Sequence, residues 1–140
     1  MATTTCTIPD EIEQAYKKFK VRKNPANCAL VFKINKKDLT VELDETLDDV
    51  TMDDLAMEMP DTVPRFVVYS YKYTWDDGRV SYPLFMIFWC PPGINNVLNM
   101  LYASTKPPLV QKLGVTKVFD IRNPDDFNEE WLKKKLSFFK

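Results

Sequence analysis

The alternation of apolar and polar residues between Arg65 and Trp89 predicts two long strands joined by a tight turn. Side chains on the first strand alternate between two faces, which is the period that a strand requires. One face carries Val67, Tyr69, Tyr71, Tyr73 and Trp75, and the other carries Phe66, Val68, Ser70, Lys72 and Thr74. Asp76-Asp77-Gly78 suits a short hairpin loop, because glycine can take the positive φ that closes it. The return strand is apolar from Leu84 to Trp89, so we expect helices on both faces of the sheet.

The pattern on either side of this hairpin predicts an order of helix, hairpin, short helix, long hairpin, long helix, strand and helix. The short helix has Thr51 as its cap and Asp54 three residues later, which is the spacing of a capping box. The last helix is predicted to start at Asn123, because a capping side chain is followed by a proline and two acids. The other elements are predicted at 9–20 (helix), 29–34 and 39–43 (hairpin strands), 51–59 (helix) and 115–121 (strand).

The segment Asn95–Leu113 predicts the long helix. On a helical wheel, the residues expected to face the sheet are Val97, Leu98, Leu101 and Tyr102, and those expected to face outward are Asn96, Asn99, Met100 and Ala103. An outward methionine among small polar residues indicates a contact surface, although a solitary apolar surface residue is the alternative. Pro107-Pro108 predicts that the helix ends or kinks after Lys106, with a second piece that Gly114 stops.

Length and composition indicate one soluble domain. The chain of 140 residues is long enough for a single core, and we expect one domain over residues 1–140, with residues 1–7 flexible. No apolar run approaches the roughly 18 residues that span a bilayer, and the first residues lack the features of a signal peptide. Three scattered cysteines, Cys6, Cys28 and Cys90, fit a reducing compartment. We therefore expect a cytoplasmic protein without integral membrane association.

Charge is balanced overall but segregated along the chain. The net charge is −1, so no global field would recruit nucleic acid or a membrane. A basic cluster contains Lys17, Lys18, Lys20, Arg22 and Lys23, whereas every charged residue from Glu42 to Asp61 is acidic. Two opposed patches suit oriented docking onto a protein partner. Simple solvated faces are the alternative.

The chain lacks the residue types that most catalytic and metal sites require. It has no histidine, which removes the commonest general base and transition-metal ligand. Its three glycines each have a structural role, so none is left for a phosphate-binding loop. The paired acids and the strand aromatics are better explained by solvation and core packing than by catalysis or nucleic-acid stacking. We therefore expect no enzyme activity, no catalytic residues, no cofactor and no metal.

The order of elements resembles the actin-depolymerising-factor homology domain. Residues 99–106, NMLYASTK, are similar to the long-helix motif by which cofilin-like proteins enter a groove of actin. A more specific resemblance, to the glia maturation factor branch, extends from about Lys17 to the C-terminus. It rests on residues 64–73, 76–84, 116–119, 121–123 and 129–132 and on the Phe138-Phe139 tail. The chain departs from the branch at Pro107-Pro108, where relatives have polar and basic residues.

This resemblance implies an α+β fold with three layers, α/β/α, around a mixed sheet of five to six strands. It also implies binding to the actin-related protein 2/3 complex, dissociation of actin filament branches and inhibition of new branch nucleation. Direct binding to actin would be weak or absent. We expect a monomer at cortical, branched-actin sites. The alternatives are a cofilin-like severing protein, a small hydrolase or transferase, and an acidic-lipid-binding module that uses Lys17–Lys23.

The candidate binding residues fall into three groups, and a fourth group marks candidate phosphorylation sites. The long-helix group is Asn96, Asn99, Met100, Ala103, Lys106 and Lys112. The basic-cluster group is Lys18, Lys20 and Arg22, and the hairpin-tip group is Trp75, Asp76, Asp77 and Arg79. Thr3, Thr4 and Thr5 are the candidate phosphorylation sites, where about two added negative charges would repel a partner.

Overall fold

The computed structural model describes residues 6–21, 27–60 and 62–137. Within them, the helices are α1 (Asp10–Lys20), α2 (Met52–Glu58), α3 (Asn96–Leu113) and α4 (Glu129–Ser137). The strands are β1 (Cys28–Asn35), β2 (Thr40–Asp48), β3 (Arg65–Ser70), β4 (Tyr73–Thr74), β5 (Val80–Ser81), β6 (Leu84–Trp89) and β7 (Val118–Ile121).

Five of these strands form one mixed sheet, in the order β2-β1-β3-β6-β7. All neighbours are antiparallel except β6 and β7, which run parallel because α3 makes the crossover between them. β7 begins at Val118, three residues later than predicted. β2 extends well beyond its predicted end, and the register shift opposite Val31 and Phe32 admits Asp44 as an extra, bulged residue. The predicted α+β class is confirmed, with five strands in the central sheet.

Each face of the sheet carries its own apolar core, covered by two helices. α1 and α3 pack on one face, against Phe66, Val68, Met86 and Phe88. α2 and α4 cover the other face, against Val67, Tyr69, Phe85, Ile87 and Trp89. The predicted alternation along β3 and the burial of β6 on both faces are therefore confirmed, and the layers are α/β/α.

The long hairpin keeps one register, but its ladder is interrupted. β3 pairs with β6, and β4 pairs with β5 in the same register, as a separate two-stranded sheet. Between the two pairs, Pro83 has no N–H to donate. Its carbonyl accepts from the Tyr71 N–H at 3.1 Å, and the Lys72 N–H donates instead to Asn27 Oδ1 at 2.7 Å. The expectation of two uninterrupted strands is therefore wrong at this point.

α3 is continuous through Pro107 and Pro108, so of the two predicted outcomes, an end or a kink after Lys106, the end is wrong. Pro107 is exposed and therefore lies on the solvent side of α3. Long helices are generally convex on that side, where their backbone hydrogen bonds are longest. Beyond the prolines, Leu109 and Leu113 are buried, so packing holds the second half of α3 against the sheet. The helix ends at Gly114 as predicted, with a φ of +76°.

The N-terminal segment is partly held by the sheet. Thr7 forms a parallel bridge with Thr40 at the outer edge of β2, and its N–H donates to the Leu39 carbonyl at 2.8 Å. Cys6 is buried. The last two residues of the segment expected to be flexible therefore contact the folded domain, and residues 1–5 lie outside the described part.

The last helix starts later than predicted. Asn123 Oδ1 accepts from the Asp125 N–H at 3.0 Å, but this cap begins only a 3-10 turn at Pro124–Asp126. α4 begins at Glu129, where Asn128 Oδ1 accepts from the Trp131 N–H at 2.9 Å. The chain leaves the helical path between the two caps because Phe127 is buried there, with its ring centroid 5.6 Å from that of Trp89.

Candidate partner-binding surface

The first half of α3 presents apolar side chains to solvent. Met100 is 69% exposed, and Asn96 and Ala103 are also exposed, as predicted. Val97 is 77% exposed, so the expectation that it faces the sheet is wrong. The buried face of α3 centres on Tyr102 and the residues one and two turns beyond it, and Val97 lies roughly a third of a turn away from that centre.

Asn99 differs from the other three residues predicted to face outward, because it is half-buried at the flank of α3. Its Oδ1 accepts a hydrogen bond from Cys90 Sγ at 2.9 Å. Burial raises the pKa of the Cys90 thiol, against a lowering effect of Arg122, which keeps the thiol protonated and able to donate. The outward position predicted for Asn99 is therefore met only in part, and the residue fastens α3 to the end of β6.

A groove of about 550 Å³ lies beside this surface, between α3 and the strands β6 and β7. Lys106 stands at its wall, with Nζ 2.6 Å from Asp120 Oδ1 and 5.5 Å from the ring centroid of Phe88. The charge of Lys106 is thus shared with Asp120, which the sequence did not indicate. The groove is also lined by Ala103, Pro107, Val110, Gln111, Val118 and Arg122.

Lys112, the remaining cation predicted on the long helix, has partners within the fold. Its Nζ donates to the Ile8 carbonyl at 2.9 Å and to Asp10 Oδ1 at 3.1 Å. Lys112 therefore ties the end of α3 to the start of α1. The structure does not bring it together with the exposed apolar residues of the first half of the helix.

The basic cluster lies on the outer side of α1. Lys18 and Lys20 are exposed, as predicted, and Lys17 pairs with Glu13 across one helical turn at 3.2 Å. Arg22 lies outside the described residues. α1 and α3 share one face of the sheet, so Lys18 and Lys20 lie on the same side of the molecule as Met100.

The tip of the long hairpin is an ordered turn. Gly78 has a φ of +91°, and its N–H donates to the Trp75 carbonyl at 3.0 Å. Trp75 is half-buried, because its Nε1 donates to Ser81 Oγ at 2.9 Å and Arg79 lies over its ring at 5.7 Å. Arg79 also pairs with Asp77 at 2.7 Å. Of the four predicted contacts at the tip, Asp76, Asp77 and Arg79 are exposed and Trp75 is the support beneath them.

Similarity to known proteins covers nearly the whole chain. The family model described as cofilin/tropomyosin-type actin-binding protein matches residues 5–137. Glia maturation factor beta from Mus musculus is 48% identical over 134 residues, which cover 96% of this chain and 94% of that protein. The chain belongs to the glia maturation factor family.

Two further members of the family support this assignment. Glia maturation factor from Drosophila melanogaster is 42% identical over 131 residues, covering 94% of this chain and 95% of its own. The solution structure of glia maturation factor from Caenorhabditis elegans superposes with a TM-score of 0.81 at 32% identity, covering 96% of this chain and 98% of that one. The resemblance inferred from the sequence is confirmed, both for the family and for the fold.

In this family member, the acidic residues of α2 lie on the face of the sheet opposite to the basic cluster. α2 packs on the core that α1 does not touch, and its outer side carries the exposed Asp53, Asp54 and Glu58. Burial raises the pKa of Glu45, and Glu58 and Asp44 raise it further. The exposed acids of α2 are therefore on the opposite side of the sheet from Lys18 and Lys20, whereas Asp48 of β2 pairs with Cys28, a residue of the core on the α1 side.

The described part of this glia maturation factor family member contains neither a metal-binding cluster nor a membrane-spanning helix. Across residues 6–21, 27–60 and 62–137, no group of three or more cysteine, aspartate or glutamate side chains is arranged to hold a metal ion. None of the helices in those ranges is long and apolar enough to cross a membrane. The candidate phosphorylation sites Thr3, Thr4 and Thr5 lie outside those ranges.

Sequence reasoning missed Val97, Asp120 and Arg122 as parts of this surface. Val97 could have been found by continuing the helical wheel through the prolines, because Leu109 and Leu113 fall on the same face as Tyr102 and Val97 does not. Asp120 and Arg122 lie on or just after β7, and no local signal places that strand beside α3.

Proposed function

We propose that this protein binds the actin-related protein 2/3 complex, dissociates actin filament branches and inhibits the nucleation of new ones. It acts by binding and not by catalysis, as a cytoplasmic monomer at cortical, branched-actin sites, with little direct binding to actin. Membership of the glia maturation factor family supports an actin-regulatory role, and the surface of α3 supplies the contact.

The observation that carries the proposal is the exposed Met100 on a rigid helix. Met100 has 69% of its surface in solvent, while Tyr102 and Leu109 anchor the same helix in the core. A flexible, polarisable side chain on a fixed support suits an apolar pocket of a partner. A few central apolar anchors supply most of the affinity of a protein interface, so α3 is the primary contact.

Charged residues surround this anchor on the same side of the sheet. Lys18 and Lys20 are exposed on α1 and are the cations best placed to meet an acidic surface of the partner. Lys106 is a weaker candidate for a contact with the partner than the sequence indicated, because its Nζ already pairs with Asp120 Oδ1 at 2.6 Å. Lys112 contributes indirectly, through its contacts with Ile8 and Asp10.

The hairpin tip is a second contact, at the opposite end of the molecule. β6 runs from the hairpin toward Trp89, and α3 starts shortly after that end. Met100 and the tip residues Asp76 and Arg79 are therefore separated by the length of the sheet. Two separated contacts on different subunits would favour one arrangement of the complex, and only such differential binding can shift its equilibrium.

The test is to observe pre-formed filament branches by microscopy after adding the purified protein. We expect branches to dissociate with the parent protein and Met100→Ala to lose most of this activity at an unchanged melting temperature. Met57→Ala is the matched control, because Met57 is 84% exposed on α2, on the other face of the sheet. Branches that persist at every concentration of the parent protein would contradict the proposal.

A cofilin-like activity is the second candidate, since the matching family model is described as actin-binding. Sedimentation with unbranched filaments distinguishes the two. Strong binding to filaments in the absence of the branching complex would favour the cofilin-like activity and would contradict the proposal above.

A further inference from the structure

Pro107 and Ala103 extend the apolar surface of Met100 along α3. Ala103 and Pro107 are exposed, and both line the groove that contains the Phe88 ring. Positions 100, 103 and 107 have the i, i+3, i+7 spacing of one helical face. The three residues therefore form a continuous outward strip, which we call the apolar strip.

The same proline changes the backbone chemistry of the strip. In an uninterrupted α-helix, the N–H of residue 107 would donate to the carbonyl of Ala103, but proline has no N–H. α3 nevertheless continues through this position. The Ala103 carbonyl thus loses its usual donor four residues on, and it belongs to an exposed residue of the apolar strip.

Two lysines of α3 are already engaged within the fold. Lys106 Nζ lies 2.6 Å from Asp120 Oδ1, and Lys112 Nζ donates to Asp10 and to the Ile8 carbonyl. A partner that docks on the apolar strip therefore contacts apolar side chains and a backbone hydrogen-bond acceptor, because both of these lysines are paired within the fold.

We propose that Pro107 determines binding specificity, because its ring lengthens the apolar strip and its missing N–H leaves the Ala103 carbonyl to accept a hydrogen bond from the partner. This inference rests on the proposed function. It specifies the chemistry of the partner surface, which is an apolar wall with one N–H or O–H donor beside it.

Pro107→Val tests the inference, because valine restores the N–H at residue 107 and keeps an apolar side chain of similar size. Pro108→Val is the matched control, since it restores the N–H that faces Ser104, which is half-buried. Affinity for the purified actin-related protein 2/3 complex is measured by equilibrium titration. We expect Pro107→Val to weaken binding about three- to tenfold, the range for one hydrogen bond, and Pro108→Val to change it less than about twofold.

The result that would overturn the inference is parent-like affinity of Pro107→Val while Met100→Ala loses binding. Equal losses in both proline variants would also overturn it, since they would trace the effect to the curvature of α3. If Met100→Ala itself bound like the parent protein, the proposed contact surface would fail instead. Far-ultraviolet circular dichroism and the melting temperature establish that each variant is folded, and neither substitution should lower the melting temperature, because proline is the least favourable residue inside a helix.

Discussion

The backbone N–H of Ile34 in β1 donates a hydrogen bond to the hydroxyl of Tyr102 in α3, at 3.0 Å. The ladder between β1 and β3 ends at Phe32 and Phe66, so Ile34 lies two residues beyond the last pair. The Tyr102 ring also packs on Phe66, with 5.4 Å between the ring centroids. Tyr102 thereby joins the end of β1 to the middle of the helix that carries Met100.

Replacing Tyr102 by phenylalanine should lower the free energy of unfolding by about 1–3 kcal/mol, because the buried Ile34 N–H would lose its acceptor. Urea unfolding measures this change. Tyr82→Phe is the control, since Tyr82 is 45% exposed and its loss of a hydroxyl should change stability by less than about 0.5 kcal/mol. Equal stability of Tyr102→Phe and the parent protein would show that the Ile34 N–H finds another partner.

Under the proposed function, Asp120→Asn should tighten binding to the actin-related protein 2/3 complex. The substitution removes the carboxylate that pairs with Lys106 at 2.6 Å, so Lys106 no longer has to leave an ion pair to meet the partner. A surface pair is worth up to about 1 kcal/mol, which sets an upper limit of about fivefold in the dissociation constant measured by titration. Asp125→Asn is the control, because Asp125 is also exposed but lies outside the groove. Weaker binding of Asp120→Asn would mean that Asp120 contacts the partner directly.

The protein should lose stability as the pH rises above about 10. Burial raises the pKa of both Tyr69 and Tyr71 above the ordinary value of 10.0, and for Tyr71 the hydrogen bond to Glu129 at 2.7 Å raises it further. The folded state then keeps protons that the unfolded chain releases, so the contribution of these groups is complete below pH 10 and is lost above it. Above pH 10, each of these tyrosines lowers the free energy of unfolding by about 1.4 kcal/mol per pH unit.

Urea unfolding between pH 9 and pH 11 measures this slope. Tyr71→Phe should reduce this slope by the share of one tyrosine. A parent-like slope in Tyr71→Phe would contradict the assignment of the effect to Tyr71.

Gly78→Ala should lower the free energy of unfolding by about 1 kcal/mol, through the backbone alone. Gly78 has a φ of +91°, and an added Cβ would meet no atom within 4 Å, so the cost is the strain of a positive φ. Gly78→Asn should recover part of the loss, because asparagine tolerates positive φ better than alanine does. Thermal unfolding of the parent protein, Gly78→Asn and Gly78→Ala should show stability decreasing in that order. Equal stability of the two variants would contradict this prediction.

Local sequence signals predicted most of the elements, because their causes are local. The faces of β3 follow from period-2 alternation, and the core contacts of Phe66 and Val67 confirm them. The start of α2 follows from a single cap, in which Thr51 Oγ1 accepts from the Asp54 N–H at 3.1 Å. The outward position of Met100 follows from the same kind of signal, since the helical wheel uses only the residues of α3 itself.

The misplaced features depend on contacts between distant parts of the chain. α3 continues past Pro107 because Leu109 is buried in the core, and that burial outweighs the local preference of proline. Lys106 and Lys112 were expected to be available to a partner, but Asp120 and Ile8 hold them within the fold. No pattern within one segment contains these pairs, so the sequence could indicate α3 as the candidate helix but not the ion pairs of its lysines.

The break in the hairpin ladder at Pro83 separates two units of local stability. The ribbon of β4 and β5 has only two pairs of its own, and it adjoins the main sheet through the bond between the Tyr71 N–H and the Pro83 carbonyl. Amide protons of the ribbon can therefore exchange with solvent through local opening, while those of β3 and β6 exchange only when the core itself unfolds. The hairpin tip can therefore open locally while the sheet that supports α3 stays folded.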